Sequence, residues 1–339
     1  MECKMTNRES KYNARIVAFG KYVPDKVLDN KYFESIVDTT DEWITTRTGI
    51  KERRILEKGA TSDMAVEAIK DMVRRFNVDL NTIDVMIVAT VTPDMFFPST
   101  ACVIMDKLEM ENTWGFDLSA ACSGYVFATS TARAFIESGL YKRVLVVGAD
   151  KMSAITDYTD RNTCILFGDA AACTLFERTE DKNDGILDEL LYCDGSGRNH
   201  LYMLGGGSLN PASHETVEKK MHYIYQDGKA VFKVAVIGMA EVAYEIMVRN
   251  NLRPEDVAYL VPHQANLRII DATRERMGIP PEKVMVNIHK YGNTTAATIP
   301  LCLVDYYDEG KLKKGDNLIL ASFGAGFTWG GIYMKWSID

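Results

Sequence analysis

Apolar and polar positions run along this chain in blocks whose period changes. Residues 61–76 carry Met64, Ala65, Ala68, Ile69 and Met72 at helical spacing, which predicts an amphipathic helix. Residues 85–91 are an almost unbroken apolar run, the pattern of a strand buried on both faces. Pro93 ends that run, and Pro98 restarts the chain as a helix to residue 108. Residues 114–118, 143–150 and 170–176 predict three more buried strands, and 14–20 a short one before Tyr22-Val-Pro-Asp. Between them, Thr39-Thr-Asp-Glu supplies N-cap chemistry and acidic first-turn residues, so a short helix carries Trp43 and Arg47.

The second half repeats the rhythm. A helical stretch at 228–249 precedes a strand at 257–261, a helix to Met277, a strand at 284–287 and a helix through Tyr307. A strand at 318–322, a Gly-rich turn and a strand at 331–336 close the chain. Residues 84–91, 114–122 and 144–150 correspond in order to 257–261, 284–293 and 318–324, which suggests a duplicated α/β unit with helices covering its sheets. The halves are read as 14–178 and 185–339, divided by a charged cluster at 177–184, with 1–13 as a disordered tail. The polar stretch 193–226 shows little periodicity and is expected to be a long loop or cap beside a pocket.

Composition narrows the classes. The chain has 339 residues, 47% of them hydrophobic, enough for a large core. The net charge of -8 argues against nucleic-acid binding. No run of about 18 apolar residues predicts a membrane span, and the polar N-terminal residues carry no apolar segment of a secretory signal. The seven cysteines are scattered, form no C-x-x-C pair and point to a reducing cytoplasm with neither disulfides nor a metal site. The histidines have no metal-ligand spacing; His214 and His222 read as solvated, and His289 as exposed in a polar segment.

Three polar landmarks fall at predicted strand ends, where ligands of such sheets gather. Cys122 stands where the strand 114–118 hands over to a helix, after the small residues Ser119, Ala120 and Ala121. Unpaired N–H groups and the helix dipole there favour a thiolate, below the usual thiol pKa of about 8.5. A small buried core cysteine is the competing reading. His263 ends a strand and Asn293 precedes a helix, so each is equally a structural cap on its own pattern. Together, a cysteine nucleophile with a histidine and an amide suits attack on a carbonyl whose oxygen turns negative.

The motifs Asp-Leu-Ser-Ala-Ala-Cys-Ser-Gly (117–124), Val-Pro-His-Gln-Ala-Asn-Leu-Arg (261–268), Tyr-Gly-Asn-Thr-Thr-Ala-Ala (291–297) and Phe-Gly-Ala-Gly-Phe-Thr-Trp-Gly (323–330) resemble those of the β-ketoacyl-acyl carrier protein synthase III family. The stretches 41–50, 97–99, 159–161 and 167–169 fit as well, so the likeness runs from about Ala14 to the C-terminus. The resemblance implies a thiolase-like fold with five αβαβα layers. It also implies condensation of an acyl-CoA primer with malonyl-acyl carrier protein in the cytoplasm, by a homodimer. Acyl-CoA is then a substrate and no cofactor is needed. Cys122, His263 and Asn293 would be catalytic, with the N–H groups of Cys122 and Ala325 as the oxyanion hole. Trp43, Arg47, Arg161 and Asn266 would contact CoA, and Phe97 (reaching into a partner) and Phe323 would line the acyl pocket. Lys233, Arg268 and Arg276 would receive the acidic carrier protein. The two arginines lie about 80° apart around a helix, so one face can hold both.

This sequence departs from the commoner family pattern at Ala325, at Asn162 and in the longer stretch 193–226. The Gly-rich turn is followed by a strand rather than a helix, which excludes a dinucleotide loop. A papain-like hydrolase would carry its cysteine near the mature N-terminus. A non-catalytic paralogue would lack the nucleophile. A related condensing enzyme of secondary metabolism shares the motifs and stays open as an alternative.

Overall fold

The apolar runs assemble into two sheets with one plan. In the first, the strands from edge to edge are Asn13–Tyr22, Ala170–Thr179, Arg143–Asp150, Val85–Ala89 and Trp114–Leu118, the last three mutually parallel. In the second they are Gly185–Cys193, Thr328–Lys335, Asn317–Gly324 and Tyr259–Pro262, with only the last pair parallel. The two orders match strand for strand until the fifth position, which the second sheet lacks. The strand expected at 284–287 reduces to a single parallel bridge between Leu260 and Val284. Side chains take the backbone groups a ladder would have used. Val286 N–H donates to the Tyr306 hydroxyl at 3.1 Å, and those of Asn287 and Ile288 to Gln264 Oε1 at 3.0 and 3.1 Å.

The computed structural model describes residues 10–339. The tail expected over 1–13 thus falls largely outside the described residues, and its last part is anchored. Ser10 Oγ donates to the Glu137 carbonyl at 2.7 Å, and Asn13 opens the first edge strand. Its counterpart, Gly185–Cys193, matches no clean hydrophobic period, so pattern alone missed it. The stretch 193–226 is not a long loop: it holds a 3-10 turn, a helix His214–Glu218 and the paired strands Leu201–Met203 and Ile224–Gln226.

Helices make the remaining three layers. Thr61–Phe76 and Thr100–Lys107 cover the outer face of the first sheet, and Gly228–Arg249 and Leu267–Met277 that of the second. Gly124–Glu137 and Thr298–Asp308 pack between the sheets, sharing one core with Val85, Ile87, Leu318 and Ile332. Every residue of Val85–Ala89 is fully buried, and each Val or Ile there contributes about 1.5–3 kcal/mol through burial. The short helix Asp41–Thr48 starts as its sequence demands: Thr40 Oγ1 accepts from Trp43 N–H at 3.1 Å, and Gly49 ends it in the left-handed region. Among the described residues no helix is long and apolar enough to cross a membrane.

Candidate active site

The Cys122 turn lies between the halves. After Trp114–Leu118 the chain makes one 3-10 turn, Ala121–Ser123, and enters the helix Gly124–Glu137. Ala121 sits at φ 48°, a left-handed conformation that costs a non-glycine residue energy and is held here by its surroundings. The C-terminal half clamps the turn: Ser123 Oγ donates to the Thr328 carbonyl and Thr328 Oγ1 to the Ala120 carbonyl, both at 3.0 Å. A methyl group on Gly324 would lie 2.7 Å from the Cys122 nitrogen, so only glycine fits there. The next residue, Ala325, is thereby carried to the same edge of the turn.

Cys122, His263 and Asn293 are 8%, 1% and 7% exposed. The helix terminus expected to favour a Cys122 thiolate is opposed by burial. Burial, with the Asp150 carboxylate adding to it, pushes the thiol up to about 12, and the residue's own backbone N–H offsets only part of this. His263 follows the strand Tyr259–Pro262, with its N–H on the Ala321 carbonyl at 2.8 Å and Nδ1 2.7 Å from Thr298 Oγ1. Burial holds its imidazole down to about 3, so it is neutral at ordinary pH. Asn293 is held by the other half of the molecule. Its N–H donates to the Leu166 carbonyl at 2.9 Å, and Gly168 N–H donates to its carbonyl at 3.1 Å. Its Oδ1 accepts from Thr295 N–H at 2.9 Å, which leaves the Nδ2 protons to donate.

A cavity of about 580 Å³ collects most of the expected residues. His263, Asn293 and Phe323 line it, and Gly324, one residue beyond Phe323, lies against the Cys122 turn. Trp43, Arg47, Asn266 and Arg268 also line it. The Arg47 and Arg161 guanidinium groups stand 4.8 and 4.7 Å from the Trp43 ring centroid. Asn266 is at the same time the N-cap of Leu267–Met277, accepting from Arg268 N–H at 2.9 Å. Phe97 does not join this cavity; it is 85% exposed beside Phe96. On the outer face Lys233 is exposed, and Arg268 lies over the Phe232 ring. Arg276 shares the face but not its free charge, because Glu241 takes it at 2.8 and 3.1 Å. His289 is half-buried rather than exposed, and burial lowers its pKa. His222 is held rather than solvated, 2.9 Å from Thr216 Oγ1.

Three residues that organise the site escaped the sequence reading. Asp150 is fully buried and accepts from Thr90, Val91, Thr92, Thr295 and Ala296, so it ties the first sheet to the segment after Asn293. A carboxylate ending an otherwise apolar strand was the available signal. Arg53, fully buried, donates to the Ile165 carbonyl and Asn30, bracing the loop that holds Asn293; burial lowers it to about 9. Thr298 reaches His263 only through the packing of two distant segments.

A duplicated five-layer body that clamps a buried cysteine turn under its second half defines the thiolase-fold class of acyl-transferring enzymes. Models of 3-oxoacyl-[acyl-carrier-protein] synthase III match residues 116–195, and its C-terminal region residues 247–336. The beta-ketoacyl-[acyl-carrier-protein] synthase III of Chlorobaculum tepidum is 58% identical over 326 residues, 95% of this chain and 99% of that protein. The crystal structure of 3-oxoacyl-[acyl-carrier-protein] synthase III from Aquifex aeolicus superposes with a TM-score of 0.88 at 44% identity, covering 95% of this chain and all of that one. The priming β-ketosynthase of the R1128 polyketide pathway superposes with the same score at 33% identity, over 96% of each chain. The chain belongs to the 3-oxoacyl-[acyl-carrier-protein] synthase III family.

Proposed function

We propose that this chain condenses an acyl-CoA primer with malonyl-acyl carrier protein, releasing CoA and carbon dioxide, and so starts type II fatty-acid synthesis in the cytoplasm. One observation carries the reading. A single cavity is lined by Trp43, over whose ring Arg161 lies, and by His263, Asn293 and Phe323, the neighbour of the Gly324 that abuts the Cys122 turn. A flat aromatic ring and guanidinium groups suit a nucleotide base and phosphates. In the first half-reaction the Cys122 sulfur attacks the primer thioester, and CoA leaves. In the second, the malonyl group loses carbon dioxide, and its carbon attacks the acyl-cysteine. His263 and Asn293 hold the malonyl thioester oxygen, while the Cys122 and Ala325 N–H groups receive the oxygen of the acyl group. Acyl-CoA is consumed as a substrate, and the scheme needs no further cofactor.

Lys233 and Arg268 offer the local positive charge that an acidic carrier protein needs to approach a chain of net charge -8. A homodimer fits two exposed features: the unpaired edge of Trp114–Leu118, and the apolar side chains of Phe96, Phe97 and Leu209. In that assembly Phe97 closes the partner's acyl pocket beside Phe323. The likeness to a polyketide priming enzyme sustains a second reading, in which the carrier protein serves secondary metabolism. Incubation with acetyl-CoA should add one acyl mass to the peptide bearing Cys122, and malonyl-carrier protein should then discharge it. Label on Cys164 or Cys173, or full condensation by Cys122→Ser, would overturn the reading.

A further inference from the structure

The Thr298 hydroxyl stands between two groups that compete for its proton. It is 2.7 Å from His263 Nδ1 and 3.1 Å from the Thr295 carbonyl oxygen. A hydroxyl carries one proton and two lone pairs, and a carbonyl can only accept. Threonine in the first turn of a helix back-bonds to a carbonyl three residues earlier, as Thr298 does here. With its proton on that carbonyl, Thr298 has only a lone pair for His263, and Nδ1 must carry the hydrogen. The opposite assignment leaves two oxygens 3.1 Å apart with no proton between them. The carbonyl cannot swing away. Thr295 is held through its hydroxyl on Asp150, and through its N–H on Asn293 Oδ1 at 2.9 Å, with Ala296 N–H also on Asp150 at 3.3 Å.

We propose that Thr298 is a positioning residue that holds His263 as the Nδ1–H tautomer, so that Nε2 meets the cavity as a proton acceptor. The tautomer of a histidine is set by the bond its other nitrogen makes. The site then pairs unlike partners: Asn293 donates through Nδ2, and His263 at rest accepts.

The catalytic consequence rests on the function proposed above. The buried Cys122 thiol must lose its proton as its sulfur bonds to the primer carbon, and Nε2 takes it while the carbon–sulfur bond to CoA breaks. Nε2 hands that proton to the departing CoA sulfur and is neutral again. In the second half-reaction Nε2 takes a proton from solvent beside the malonyl carboxylate and donates it as a hydrogen bond to the malonyl thioester oxygen. That proton passes to the Cys122 sulfur when the new carbon–carbon bond displaces it.

Two-bond 1H–15N correlation spectra of the full chain with 15N-labelled histidine read the tautomer directly, with no substrate present. Loss of signals in His263→Ala assigns the residue. Wild type and Thr298→Ser should both show the proton on Nδ1, whereas Thr298→Val should shift His263 toward Nε2–H. Acylation of Cys122 should fall on the order of 10²-fold in Thr298→Val, as when a proton-transfer group is wrongly set, and recover in Thr298→Ser. A wild-type spectrum with the proton on Nε2, or an unchanged tautomer in Thr298→Val, would overturn the proposal whatever the enzyme's substrates prove to be. Failure of acyl-CoA to label Cys122, with the tautomer as stated, would count against the proposed function alone.

Discussion

The two halves share a strand order but differ at one edge. In the first, the fifth strand, Trp114–Leu118, is complete and delivers its next residues straight into the Cys122 turn. In the second, the equivalent segment keeps one bridge at Val284 and then leaves the sheet. That departure lets Asn293 cross over and pair with Phe167 of the first half. A duplicated unit thus becomes an asymmetric site by losing one strand: the intact edge positions Cys122, and the frayed edge positions the Asn293 amide.

Asn293→Ala tests this division most strongly. The amide is assigned to the malonyl thioester oxygen, so condensation should fall about 10²–10³-fold, the usual effect of losing an oxyanion donor. Acyl transfer to Cys122, followed by single-turnover mass spectrometry, should change far less. Equal losses in both half-reactions would mean that the frayed edge also supports the nucleophile.

Gly324→Ala probes the seam where the halves meet. The added methyl would press on the Cys122 nitrogen at 2.7 Å and on the Ser123 nitrogen at 3.0 Å. Overpacking of this kind costs about 1–3 kcal/mol, and a lower melting temperature with slower acylation is expected. Gly207→Ala, where nothing lies within 4 Å, is the control and should match wild type in both assays.

His263 gives the second half a pH signature of its own. Its folded pKa, about 3, lies below the unfolded value of 6.5. Between these values the unfolded chain binds a proton that the folded one refuses, so stability falls as pH drops below 6.5. From pH 6 to pH 5 that single group should remove up to about 1.4 kcal/mol. Urea midpoints of wild type and His263→Gln, compared at the two pH values, should show a shallower slope in the variant. Parallel slopes would mean that the buried imidazole is charged.

The smallest effect is expected on the outer helix face. Lys233 is exposed and does not line the cavity, so Lys233→Glu should raise KM for malonyl-carrier protein several-fold and flatten its salt dependence, with transfer from acyl-CoA intact. Arg276→Glu should do less, because Glu241 already matches its charge. The reverse ranking would move the docking surface along Leu267–Met277.

Local pattern was enough for the elements whose signal lies in a few neighbouring residues. The helix Thr61–Phe76, the strand Trp114–Leu118 and the helix Gly228–Arg249 stand at the bounds their periodicity predicts. Motif spacing likewise put Cys122 and His263 just past strand ends, whereas the strand expected before Asn293 did not form. Tertiary structure decided what depends on groups far apart in the chain. The strand at 284–287 was lost because Gln264 and Tyr306 offered its N–H groups other acceptors. Arg276 lost its free charge to Glu241, 35 residues away. The thiol of Cys122 was the plainest case: its helix-terminal position is a local property that lowers a pKa, whereas burial and Asp150 are tertiary properties that raise it further. Sequence marked Cys122 as the candidate because residue order is covalent; its proton affinity depends on desolvation, which exists only after both halves have closed around it.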